Sequence, residues 1–167
     1  MVRFHTFEQI HAKSNVGSTK IRVHNLIKYW PEAGLYKYGE KPDVLIFQKV
    51  YCSKDYKFPA TFPGIKILDI CDPDWFDNVP IKETIDAMNA VVVPTEPLAE
   101  FLRQMTDKPV RVIKDRFDLT EFPARKVHRG QAKTVVWFGY KHNAQSLKLA
   151  VQSFERRGLR LKVISDQ

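Results

Sequence analysis

Nine consecutive residues, Asp69-Ile70-Cys71-Asp72-Pro73-Asp74-Trp75-Phe76-Asp77, carry four carboxylates. That density is costly unless solvent, a cation or hydrogen-bond donors compensate it. Three readings fit. Asp72 or Asp74 would act as a general base, taking a proton from a sugar hydroxyl. Asp72-Pro73-Asp74 also has the Asp-x-Asp form of a metal and nucleotide site, where a divalent ion bridges carboxylate and diphosphate oxygens. The plainest alternative is an acidic turn in which Asp77 caps the next helix.

Two further places suit an anion. In the stretch from His11 to Lys20, Gly17-Ser18 leads into a helix, and a glycine there lets backbone N–H groups approach a phosphate that the helix dipole favours. The stretch is neither Gly-x-Gly-x-x-Gly nor a Walker-type loop, so an ordinary capped helix start is the alternative. Gly139-Tyr140-Lys141-His142 follows an apolar run and precedes a helix expected to begin at Asn143. A small residue at a strand end, a cation two positions on and a helix N-terminus aimed at the same space make a phosphate site; the alternative is a turn with an exposed lysine. Thr95 suits a helix cap. The alternating charges from Lys114 to Asp118 are expected to form surface ion pairs of little worth.

The elements that must position these residues alternate. Short apolar runs at Arg3–Ile10, Val44–Gln48, Ile65–Asp69, Ala90–Val93, Val110–Ile113, Thr134–Phe138 and Leu161–Ile164 read as strands, several of them continuous enough to be buried on both faces. Between them lie helical periodicities. The first is capped by Ser18 or Thr19, carries Val23, Leu26, Ile27 and Trp30, and ends at Pro31. Another runs from Pro80 to Met88, a third from Glu96 through Met105, and the last from Asn143 to Gly158. This order predicts an α/β, Rossmann-like, mostly parallel sheet with helices on both faces, whose ligands sit beyond the carboxyl ends of the strands.

Charge marks a boundary. Residues 1–122 hold 17 Lys/Arg against 17 Asp/Glu, whereas residues 123–167 hold 10 against 2, so the last segment carries the entire net charge of +8. It suits an anionic partner or is simply a solvated basic face. With the polar stretch around Pro123 and Gly130, the shift predicts a domain at 1–122, a linker at 123–133, and a strand-helix-strand unit at 134–167. Such a unit leaves a sheet face and two edges uncovered and falls below the ~50 residues of a small domain. A truncated second domain is therefore expected, the alternatives being docking onto the first sheet or self-association. No transmembrane segment is expected, because no apolar run reaches the ~20 residues a spanning helix needs. The N-terminus lacks the form of a secretory signal, so the expected location is cytoplasmic. Cys52 and Cys71 have no metal spacing and read as buried thiols.

In order, Gly17-Ser18-Thr19-Lys20-Ile21-Arg22-Val23, Asp43-Val44-Leu45-Ile46-Phe47-Gln48-Lys49, Ile67-Leu68-Asp69-Ile70-Cys71-Asp72, Ala90-Val91-Val92-Val93-Pro94-Thr95, Val112-Ile113-Lys114-Asp115-Arg116-Phe117-Asp118 and Val136-Trp137-Phe138-Gly139 resemble the GT-B superfamily, specifically the retaining "glycosyl transferases group 1". The resemblance implies an acceptor-side domain followed by the start of a donor-side domain. It implies a nucleotide sugar as co-substrate, an unknown sugar or lipid-linked acceptor, and no obligatory metal or other cofactor. By the same resemblance Gly17 and Ser18 lie near the donor diphosphate, Lys141 just past Gly139 steadies it, and Asp72 takes the catalytic or sugar-contacting place. Asp115-Arg116 stands where the family has Asn-Gly, and the family's donor-binding glutamates fall beyond residue 167, so little transfer is expected from this polypeptide alone. A non-catalytic GT-B-like binding module and a basic nucleic-acid binder are the rival readings; against the latter, Trp137 and Phe138 are expected to be buried in a strand and unable to stack on bases.

Overall fold

Val44-Leu45-Ile46-Phe47 and Ala90-Val91-Val92-Val93 are runs of branched and aromatic side chains that suit a pleated, covered surface. In the computed structural model, which describes residues 1–11, 16–121, 127 and 129–165, they are central strands of a six-stranded sheet. The strands are β1 (Val2–Thr6), β2 (Ala33–Leu35), β3 (Val44–Gln48), β4 (Ile65–Asp69), β5 (Ala90–Val93) and β6 (Val110–Val112). All pairs are parallel, in the order β2-β1-β3-β4-β5-β6. Ile67 pairs with Ala90, so residues 65–69 and 90–93 run side by side in one direction.

The helical elements of this unit are α1 (Phe7–Ile10), α2 (residues 17–27), α3 (Phe58–Thr61), α4 (Ile81–Ala87) and α5 (Glu96–Arg103), with a 3₁₀ turn at Asp74–Asp77. Chain direction decides which face each covers. From β1 to β2 the chain moves one way along the sheet; from β3 to β6 it moves the other way. Right-handed crossovers place helices on opposite faces when that direction reverses. Thus α4 and α5 close one face, where Leu45, Phe47, Leu68, Val91 and Val93 meet Ile81, Ile85, Ala99 and Leu102 in one buried core. Among the described residues of Met1–Pro123, α2 is the helix on the other face.

The chain divides into two compact units, Met1–Pro123 and Ala124–Gln167. In the second, β7 (Thr134–Gly139) and β8 (Arg160–Ser165) pair in parallel. They are joined by a 3₁₀ segment (Lys141–Leu147) and α6 (Lys148–Arg156), which ends before Gly158 at φ +62. No helix among the described residues is long and apolar enough to cross a membrane.

Several local expectations change. Arg3–Ile10 is not one strand: at Thr6 the chain turns into α1, because Gln9 Oε1 accepts the Thr6 N–H at 3.0 Å. Strand β2 lacks the branched residues that would announce it. Val16, rather than Ser18 or Thr19, occupies the cap position of α2, while the Thr19 side chain is buried and donates to Gln48 Oε1 at 2.9 Å. Thr95 holds the cap position of α5 without a side-chain cap bond. The turn after β7 begins at Lys141 as 3₁₀ and becomes α-helical only at Lys148, so no α-helix starts at Asn143. β7 is not covered on both faces: Phe138 is 79% exposed and Val136 51%. Cys52 is buried, but Cys71 is only half-buried. Residues 12–15, and 122–126 and 128 in and beside the expected linker, lie outside the described residues.

Candidate functional site

The strand order reverses between β1 and β3, and the crevice outside the carboxyl ends of strands at such a switch is where open α/β sheets bind ligands. A cavity of about 670 Å³ lies there. Phe7, Ile10 and His11 reach it from α1 and the residue after it, Lys49, Tyr51, Cys52 and Tyr56 from the segment after β3, and Asp74, Asn78 and Pro80 from the acidic loop. That loop is anchored by Trp75, whose ring stacks on Phe101 of α5 with centroids 4.6 Å apart.

Lys49, immediately past β3, is the centre of the site. Its Nζ lies 2.8 Å from Asp72 Oδ2 and 3.1 Å from Asp74 Oδ1. The ammonium therefore supplies between these carboxylates the compensating charge that the acidic run requires, in the place a bridging cation would take. Among the described residues no group of three His, Cys, Asp or Glu side chains is arranged to hold a metal. Burial pulls the Lys49 ammonium down, but Asp72, Cys71 and Asp74 outweigh it and hold it above its ordinary value. Asp72 is the converse: burial pushes its carboxyl up, and the bonds from Lys49 and the Cys71 thiol hold it below the usual range. Tyr51 donates its hydroxyl to Asp74 Oδ2. Burial first, then the Asp74 charge, raises that phenol far above its ordinary value, so it remains a donor.

The backbone is strained at the same place. Lys49 (φ 53) and Asn78 (φ 58) are the non-glycine residues with positive φ among those described, and both line the cavity. Asparagine tolerates the left-handed region; lysine does so at a cost of about 1–3 kcal/mol, of the kind structures retain where a side chain must be aimed. The Lys49 N–H is held by Asp69 O at 3.0 Å.

Behind the cavity a second node ties α2 to the strand ends. Arg22, in the π-helical turn Lys20–His24 of α2, donates from Nε to both carboxylate oxygens of Asp69 at 2.9 Å. It also bonds Asp115 and the Ile113 carbonyl. Burial pushes the Asp69 carboxyl up, against the opposing pull of Arg22. The Arg22 guanidinium, pulled down by burial, is carried above its ordinary value by Asp69 and Asp115.

The expected site residues separate into two groups. Gly17 and Ser18 open α2 beside the cavity, where Ser18 Oγ accepts from Gln48 Nε2 at 3.3 Å. Cys71 donates to Asp72 Oδ2 at 3.2 Å. Among the described residues, nothing lies within 4 Å of where a side chain at Gly17 would begin. Gly139 and Lys141 belong to the second unit. At Gly139 a Cβ would lie 3.0 Å from the Trp137 ring, which gives this glycine a packing reason of its own.

Lys49, Tyr51, Arg22 and Asp69 carry the geometry, and the sequence reading did not single them out as site residues. Lys49 had a signal, being the residue immediately after a strand. The Arg22 node had none, because its partners Asp69 and Asp115 lie 47 and 93 positions away.

No family model matches the sequence, and no curated protein matches it. Among solved structures the chain is similar to the "Glycosylation Associate Protein (Gap123) complex from Streptococcus agalactiae", with a TM-score of 0.38 and 16% identity over 85% of this chain and 28% of that one. This chain spans well under a third of that neighbour, and a likeness of this degree carries no argument about activity.

Proposed function

We propose that Met1–Pro123 is the acceptor-side domain of a nucleotide-sugar-dependent glycosyltransferase, with the cavity at the β1/β3 switch receiving a sugar. The observation that carries this is the convergence of Lys49, Asp74, Tyr51 and Asn78 on a cavity walled by Phe7 and Tyr56. Sugar hydroxyls need donors and acceptors in fixed positions, and the apolar face of a pyranose needs rings to lie against. The ordered resemblance of the strand ends to GT-B enzymes supports the reading.

Asp72 fits a positioning role better than that of a proton acceptor. A carboxylate held below the usual range by Lys49 and Cys71 is a weak base near neutral pH. It orients Lys49, whose ammonium is paired with Asp72 and Asp74 and keeps a third N–H to offer a sugar hydroxyl. Gly17, Ser18, Gly139 and Lys141 are the diphosphate-side residues on this reading.

Isothermal titration with UDP, GDP and their sugars, against a single-stranded oligonucleotide as control, tests it. Micromolar nucleotide-sugar binding that is lost in Lys49→Ala and weakened in Lys141→Ala is expected. Salt-sensitive oligonucleotide binding alone would replace this function by nucleic-acid binding.

A further inference from the structure

The sheet face carrying α2 holds a groove that the sugar site does not use. Its floor takes one residue from each of four neighbouring strands, Phe4, Ile46, Ile67 and Val92, and its walls include Leu26 of α2 and Ile113 after β6. Leu26 is 42% exposed and Ile113 57%, in a hollow of about 390 Å³. Small-molecule sites begin at about 300 Å³ and are mostly apolar, with a few polar groups that fix orientation.

The polar groups of this groove select one kind of occupant. Every carboxylate lining it is already committed: Asp69 and Asp115 to Arg22, and Asp118 to Lys28, Tyr29 and Thr120. Lys114 and Arg116, also in the lining, are exposed and form no ion pair or hydrogen bond among the described residues. The uncommitted charge at the groove is therefore positive. In addition, Asn25 lines the groove, and its Oδ1 is buried without a hydrogen-bond partner. Buried acceptors are normally satisfied, and this one has no partner among the described residues.

We propose that this groove binds an anionic amphiphile, its apolar chain lying along the strand floor beside α2 and its anionic end held by Lys114 and Arg116. The chemistry is shared by long-chain carboxylates and isoprenyl phosphates. The site does not rest on the glycosyl-transfer reading and stands or falls separately from it.

Displacement of the fluorescent anion 8-anilinonaphthalene-1-sulfonate from the full chain tests the proposal, with dodecanoate, farnesyl monophosphate, dodecanol and inorganic phosphate as competitors. Dodecanoate or farnesyl monophosphate displaces the dye; whichever does so identifies the source of the anionic end. Dodecanol is weaker by about tenfold and inorganic phosphate has no effect. The double variant Lys114→Glu/Arg116→Glu weakens the charged competitor by about tenfold and leaves dodecanol unchanged. Leu26→Trp, at an exposed position where the fold is not at risk, fills the groove and abolishes competition by both, with an unaltered urea midpoint. The proposal is overturned if neither amphiphile displaces the dye, if dodecanol equals dodecanoate, or if both variants bind as the parent does. Displacement by an acidic amphipathic peptide and by neither amphiphile overturns it in favour of protein docking.

Discussion

The two faces of the six-stranded sheet are built from the same strands and are held by different forces. Under α4 and α5 lies a continuous apolar core in which Leu45, Phe47, Leu68 and Val91 are fully buried. Under α2, Ile46, Ile67 and Val92 remain partly exposed, and the helix is fastened by polar contacts: Thr19 to Gln48, Arg22 to Asp69, Lys28 and Tyr29 to Asp118. The difference comes from topology. Three crossovers in one direction deliver their helical elements to one face, and the single reversed crossover leaves the other face one helix. The well-covered face holds the apolar core, and the sparsely covered face and the adjoining rim carry the two hollows.

The contrast is sharpest under truncation. Phe47→Ala should cost about 3–5 kcal/mol, as large-to-small changes in closed cores do, and Ile46→Ala, its neighbour on the open face, clearly less. Urea unfolding of the pair measures the difference, and equal losses would mean that the two faces are equally packed. On the polar face, Arg22→Ala leaves the buried Asp69 carboxylate without its partner and should cost about 3–5 kcal/mol. Arg22→Met with Asp69→Leu should restore much of that loss, because two apolar side chains remove the unpaired charge.

His5 extends the comparison to pH. It lies on the closed face among Tyr36, Phe47, Tyr56 and Phe58, with Nε2 2.7 Å from the Tyr56 hydroxyl. Burial, opposed by the bond to Gln9, lowers its pKa below the ordinary 6.5. The unfolded chain then binds the proton more readily than the folded one. Stability is present above pH 6.5 and falls as the pH drops from there through the folded value. The drop in urea midpoint across that window should be smaller in His5→Asn than in the parent. The smallest effect concerns Cys71 at the rim. Burial, then Asp72, pushes its thiol up to about 12, so iodoacetamide should modify it slowly at pH 8 and faster in Asp72→Asn.

Much of this was legible in the residues because the signals are local. The strands at 44–48, 65–69 and 90–93 begin and end where their apolar runs do, since each run alone suits a covered strand in a parallel sheet. β2 was not legible: Ala33-Gly34-Leu35 has little side chain to announce a strand, and it forms because β1 offers an open edge. Phe7–Ile10 is apolar enough to extend β1 and turns helical through one side chain, Gln9. In the second unit Val136 and Phe138 look like core residues in the sequence, but they face outward because a two-stranded sheet with one helix has only one covered face.

By itself, the amino-acid sequence determined the alternation of strands and helices, the parallel sheet that follows from it, and the confinement of excess positive charge to the last 45 residues. Only the tertiary structure decided that Lys49 lies between Asp72 and Asp74, that Arg22 gathers Asp69 and Asp115, and that α2 is fastened to its sheet face by polar contacts. Periodicity and propensity act over a few residues and leave a trace in the chain. A charge pair formed across 47 positions leaves none, because its energy depends on a distance that only the packed sheet sets.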